Sequence, residues 1–344
     1  MPAPSLKIGL IGAGRIGQLH ARHLTSRVAS ADLLMVADMS IDAARQCANR
    51  FAVPSYVQDY HALLDQPSIQ AILICSSTDT HAHIIEEAAQ AGKHIFCEKP
   101  IALNLPAIDQ ALHAVAQTNI KLQVGFNRRF DANFLRVRQA IESGEIGQPR
   151  QFHIVSCDPA PPPIEYIRVS GGLFLDMAIH DFDMARFLLA TEAEEISAIG
   201  SVLCDPAIAE TGDVDTAVAT LRYANGVIGI ISNSRQAVYG YDQRVEVLGS
   251  AGAISIDNNY SNTATVSNAH GISRDRPQRF FLERYAESFV SELTSFIDAV
   301  LYDKPIPVTG HDGRMAVVIA LAAQQSLVEH RSVRLYELDP YKTV

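Results

Sequence analysis

Three groups of residues in this 344-residue chain have types and spacings suited to chemistry. Near the start, Gly12-Ala13-Gly14-Arg15-Ile16-Gly17 has the spacing at which a strand turns into a helix over a pyrophosphate. The first glycine permits the tight turn, the second lets backbone N–H groups approach the phosphates, and the third lets helix pack on strand. The helix N-terminus adds partial positive charge. A second group, Glu98-Lys99-Pro100, places a cation directly after an apolar run. In the third, Gly171 and Gly172 precede Asp176, His180 and Asp183, which at spacings of four and three share one helical face. A histidine four residues from an aspartate can be held in one tautomer and supported as it takes a proton from an alcohol. The same residues admit plainer readings: Asp176 as a helix cap, His180 as a core histidine, Asp183 as a solvated group. A zinc or magnesium site is a further option. No His-x-x-x-His or thiol pair accompanies them, and Lys99 would compete with a cation, so no metal is expected.

Placing these groups requires a framework. From residue 6 to about 122, apolar strands alternate with helical patterns, which predicts parallel strands joined by crossover helices. Strands are expected at 6–11, 33–37, 55–57, 71–75, 94–97 and 121–125, making a six-stranded Rossmann sheet. Ligands in such sheets bind at the carboxyl ends of the strands. That rule selects Ser76 to His81, Glu98 to Pro100, and Asn127-Arg128-Arg129, expected to open onto one crevice. Asp38 ends the second apolar run about twenty residues beyond the glycines, where a carboxylate accepts hydrogen bonds from both ribose hydroxyls and repels a 2′-phosphate. Met39 beside it offers no cation, so NAD is favoured over NADP.

Beyond residue 125, longer strands with hairpin signals predict an open, largely antiparallel sheet, with helices at 130–143, 176–189, 284–302 and 312–330. The expected fold is therefore α/β: a Rossmann domain over 1–124, then an α+β domain over 125–344 for substrate binding and oligomerisation. A wide sheet with helices on one side buries its other face against a second subunit, so an oligomer is expected. The run from Asp158 to Pro163 reads as a stiff loop.

The formal charge of −10, without a basic cluster, argues against nucleic acid or anionic membrane as partner. Five widely spaced cysteines with no Cys-x-x-Cys fit reduced thiols in a cytoplasmic protein. No signal core and no apolar run of roughly twenty residues is seen.

These motifs resemble the oxidoreductase family typified by glucose–fructose oxidoreductase and inositol dehydrogenase (Gfo/Idh/MocA) over nearly the whole chain. The glycine turn, Glu98-Lys99-Pro100, and Asp176 with His180 are its general marks. Residues 125–131, 158–163, 171–183 and 237–242 point to the inositol dehydrogenase branch. The resemblance implies NAD-dependent oxidation of a cyclitol ring hydroxyl to a ketone, with Lys99, Asp176 and His180 as the catalytic set. That set would meet the reacting hydroxyl, and Arg129, Asp158, Asp183 and Tyr239 are the candidates for binding the polyol's other hydroxyls beside Lys99, Asp176 and His180, the plainer readings being a salt bridge, a loop turn or a packed aromatic. Gly12, Ala13, Gly14, Arg15, Ile16, Asp38, Met39, Ser76, Thr78, His81, Glu98 and Lys99 are implied to surround the cofactor. It also implies a homo-tetramer. An acidic residue would be expected where His311 stands, a departure that could alter stereoisomer preference. Competing functions are a sugar dehydrogenase, a sugar–sugar oxidoreductase that retains its cofactor, and a silent NAD-dependent sensor.

Overall fold

The computed structural model describes residues 4–339. The chain divides into two compact units, one of residues 1–127 and 287–317, the other of 128–286 and 318–344. The expected division at 124/125 is continuous in sequence, whereas the first unit reclaims a late segment.

In the first unit, β1 (Leu6–Ile11), α1 (Arg15–Ser26), β2 (Ala31–Ala37), α2 (Ile41–Phe51), β3 (Ser55–Val57), α3 (His61–Leu64), β4 (Ala71–Ile74), α4 (Thr78–Gln90), β5 (His94–Glu98), α5 (Leu105–Ala116) and β6 (Leu122–Gly125) follow in order. The six strands form one sheet in the order β3-β2-β1-β4-β5-β6, all parallel. Strands covered on both faces are apolar without alternation, and all four residues of β4 are buried. The strand order reverses between β1 and β4, the switch point at which such sheets open for a ligand.

The second unit begins with α6 (Ala132–Glu142), β7 (Pro149–Cys157) and α7 (Ile164–Ser170), a helix the sequence pattern did not predict. A π-helical turn (Leu173–Ala178) then leads into α8 (Ile179–Leu189). Next come β8 (Ala193–Ser201), β9 (Thr216–Tyr223), β10 (Ile228–Ser234), β11 (Asp242–Gly249), β12 (Ala253–Ile256), the exposed hairpin β13 (Thr265–Asn268) and β14 (Gly271–Arg274), and the short α9 (Phe281–Arg284). A seven-stranded sheet runs β12-β11-β7-β10-β9-β8-β15, where β15 is Val333–Arg334. Its pairings are antiparallel except β10 with β7. In β9, buried and exposed residues alternate, the signature of a sheet with one covered face. Gly226, in the turn between β9 and β10, takes φ +85°, which a side chain would resist.

Two long helices, α10 (Ala286–Leu301) and α11 (Gly310–Glu329), precede β15. Leu293, Phe296 and Ile297 of α10 are fully buried in the same core as Leu6, Ile8, Leu10 and Phe96 of the first unit.

Candidate active site

In the first unit, β1 delivers the glycine loop to the switch point. Gly12 has φ +96°, and a Cβ there would lie 2.5 Å from the backbone of Cys75. A Cβ on Gly17 would lie 1.8 Å from the carbonyl oxygen of Gly12. Gly14 differs, because a Cβ would meet nothing within 4 Å; the open side faces away from the protein. It caps α1 without a side chain, so the first-turn N–H groups of α1 remain available to an anion. Asp38, just past β2, accepts hydrogen bonds from the N–H groups of Ala13 (2.7 Å) and Ser40 (2.8 Å), which couples it to the loop. Arg15 is exposed beside Gly14, Ile16 is half-buried, and Met39 is exposed. Together these residues fit a dinucleotide.

After β4 and β5 lie the other expected cofactor residues. Ser76 and Thr80 share a hydrogen bond of 2.7 Å between hydroxyls, and Thr78 opens α4. His81 is buried, with Nδ1 2.8 Å from the Pro100 carbonyl oxygen and Nε2 3.1 Å from that of Ser76. Burial holds its pKa below the ordinary value. A neutral ring carries one N–H, so it donates to one of these two carbonyls and lies against the other, which seats His81 between the two loops. Glu98 closes β5 and pairs with His20, Nε2 to Oε1 2.7 Å. Lys99 follows, half-buried, with a cis peptide to Pro100. His311 lies exposed in the first turn of α11.

The second unit carries the other set. Asp176 sits in the π-helical turn, not in an α-helix as its spacing predicts. The wider turn comes just before α8, so Asp176 and His180 do not follow one regular α-helical face; such insertions are frequent at functional sites. Asp176 is gripped from two sides: the Tyr166 hydroxyl donates to Oδ1 at 2.8 Å, and the Arg235 guanidinium lies 3.4 Å from Oδ2. His180, in the first turn of α8, is half-buried. Arg129 and Asp183 form a two-pronged ion pair of 2.8 and 2.6 Å, both buried, which excludes a solvated Asp183. The Tyr239 hydroxyl donates to Asp242 at 2.6 Å, and that bond pushes its pKa up to about 12.

Asp158 begins the loop after β7. Burial raises its carboxyl to about 6, against the pull of the Arg235 cation. Nearby, Asp181 is fully buried, 2.6 Å from the Arg128 guanidinium and 2.7 Å from the Asn233 amide. Burial raises its pKa as well, while Arg128 opposes the rise.

Four residues of this network, Tyr166, Asp181, Asn233 and Arg235, escaped the sequence analysis. Two carried a readable signal: Asn233 and Arg235 continue the buried phase set by Ile231 in β10, and a polar residue on a core-facing position must find a partner. Among the described residues, three donors with metal-ligand spacing converge at His20, Glu98 and Glu292, not at the Asp176–His180 turn.

A glycine-loop dinucleotide fold paired with a clamped aspartate ahead of a histidine defines a nicotinamide-dependent oxidoreductase. Residues 6–126 match the oxidoreductase family with an NAD-binding Rossmann fold, and residues 134–255 match the GFO/IDH/MocA C-terminal domain. The chain belongs to the Gfo/Idh/MocA family. It is 47% identical to a myo-inositol 2-dehydrogenase of Thermotoga maritima, covering 97% of this chain and 99% of that one. It is 44% identical to an inositol 2-dehydrogenase of Rhizobium meliloti, covering 96% and 99%. The crystal structure of Lactobacillus casei scyllo-inositol dehydrogenase with bound NAD(H) and scyllo-inositol superposes with a TM-score of 0.91 at 31% identity, covering 96% and 99%.

Proposed function

We propose that the protein is an NAD-dependent inositol 2-dehydrogenase, oxidising one ring hydroxyl of myo-inositol, or of scyllo-inositol, to an inosose. The observation that carries this reading is Asp176, fixed by Tyr166 and Arg235 one turn ahead of His180, in a chain whose relatives are named for this reaction. NAD, when bound, supplies the hydride acceptor. His180 takes the hydroxyl proton, and Asp176, itself immobilised, orients it. Lys99 hydrogen-bonds the reacting oxygen and favours the negative charge that grows on it, so its cation stabilises the transition state more than the neutral alcohol. Arg129, Asp158, Asp183 and Tyr239 read the remaining hydroxyls. Because Arg129 and Asp183 already hold each other, they present a rigid donor–acceptor edge to a diol.

On the cofactor side, Gly12 to Ile16 receive the pyrophosphate and Asp38 the adenosine ribose. Ser76, Thr78, His81 and Glu98 shape the nicotinamide end. The second unit assembles the enzyme into a cytoplasmic homo-tetramer through the uncovered sheet face, where Ile199 (70% exposed) and Ile228 (53%) stand in water.

The deciding experiment follows NADH absorbance with purified protein, NAD or NADP, and a panel of myo-, scyllo- and D-chiro-inositol beside common aldoses. Turnover of a cyclitol with NAD supports the reading and names the isomer. Turnover of aldoses alone, or none with any polyol, refutes it.

A further inference from the structure

We propose that Glu292 is a positioning residue: a buried carboxylic acid, kept protonated, that with His20 fixes the Glu98 carboxylate and thereby the backbone carrying Lys99.

Glu292 lies on α10 with no exposure at all, and neither carboxylate oxygen has a hydrogen-bond partner. One donor atom from each of His20, Glu98 and Glu292 lies within 4.8 Å of the others. Apolar groups enclose them: the His20 ring stands edge-on to Phe96 (5.4 Å) and Phe289 (5.9 Å). Glu98 is confined on another side by Gly125, where a Cβ would stand 3.1 Å from Oε2. Gln123 ties the helix to the sheet, its Nε2 donating to the Glu292 backbone carbonyl at 3.1 Å.

Two carboxylates this close in a dry pocket cannot both be ionised. Facing the pair are His20 from α1, Cys75 after β4, Cys97 on β5, and, beyond Glu98, His81 of α4 and Lys99. Glu98 has the imidazole partner and residual water contact, with 13% of its side chain exposed. Glu292 has neither, and the proton stays there. Burial first, then the Glu98 charge, pushes its carboxyl well above the usual range. The Cys75 and Cys97 thiols are pushed up too and stay neutral. Ionising Glu292 would repel Glu98 and pull on the segment that presents Lys99.

The test rests on the dehydrogenase reading for its kinetic arm only. Wild type, Glu292→Gln and Glu292→Leu are compared as NAD-saturated enzymes. Glutamine mimics the neutral acid and keeps kcat within about threefold, whereas leucine lowers kcat roughly tenfold to a hundredfold with little change in polyol KM. The second arm needs no polyol. Thermal midpoints are measured from mildly acidic to alkaline pH. The native state keeps a proton that the unfolded chain releases near the ordinary glutamate pKa, so wild-type stability falls as pH rises from there toward the native pKa. Glu292→Gln lacks that component of the fall. Equal damage in both variants, superimposable stability–pH curves for wild type and Glu292→Gln, or a stoichiometric metal in wild type that Glu292→Gln loses would each overturn the proposal. If no polyol is oxidised by wild type, the dehydrogenase reading fails while the stability comparison still decides this one.

Discussion

Asp158 titrates well above an ordinary aspartate. Its carboxyl, raised to about 6 by burial, is half ionised near that pH, in a network with Arg235, Asp176, Arg128 and Asp181. The native state thus holds a proton that the unfolded chain has lost. Stability contributed by this group is full below the ordinary aspartate pKa, declines as pH rises to about 6, and is flat beyond. Asp158→Asn is expected to flatten that interval and to raise stability at neutral pH by roughly 1–3 kcal/mol, as thermal melts across the range will record. Replacing Lys99 or His180 by alanine should lower kcat by about a hundredfold to ten-thousandfold while NADH fluorescence titrations stay close to wild type. For Asp38, whose carboxylate already holds the Ala13 N–H, Asp38→Ser should reduce the NAD-over-NADP ratio of kcat/KM at least about tenfold. An unchanged ratio removes Asp38 from the ribose.

The glycine loop separates two jobs that a motif alone merges. Gly17 is a packing glycine, since a methyl group there collides with the Gly12 carbonyl, whereas Gly14 borders open space. Gly17→Ala should therefore cost about 1–3 kcal/mol in stability, read by thermal melts. Gly14→Ala should melt like wild type and still lose NADH affinity. Elements of this kind were legible because their cause is local. Continuous apolar runs specify buried parallel strands, and the positions of β1 and β4 follow directly from them, whereas alternation marks β9. The stretch around Asp176 was legible in its residues but not in its backbone. The side chains that hold Asp176 there, Tyr166 and Arg235, come from α7 and from beyond β10, where no local periodicity points to them. The α7 helix was hidden for a similar reason: at seven residues it is too short to display a periodicity.

At the scale of the molecule, the seven-stranded sheet leaves one face of Ile199, Val218, Ile228 and Leu248 exposed among polar neighbours. A patch of this kind on the proposed tetramer interface predicts that Ile199→Glu with Ile228→Glu yields smaller species by light scattering, without unfolding either unit. Unchanged mass would place the interface elsewhere. The unit boundaries were the least legible feature of all. The sequence changes texture only once, near residue 125, and gives no sign that residues 287–317 return to the first core.

That return bears on how the protein is made. Phe296 and Ile297 complete a core begun by Leu6 and Ile8, so nearly three hundred residues separate the halves of one cooperative unit. On the ribosome, where N-terminal domains generally fold first, the dinucleotide unit here must wait until α10 emerges. The nascent chain holds that unfinished hydrophobic surface while the whole intervening sheet is synthesised, a window in which chaperones would engage it. A fragment ending at residue 127 would carry the glycine loop, yet its core would lack a wall.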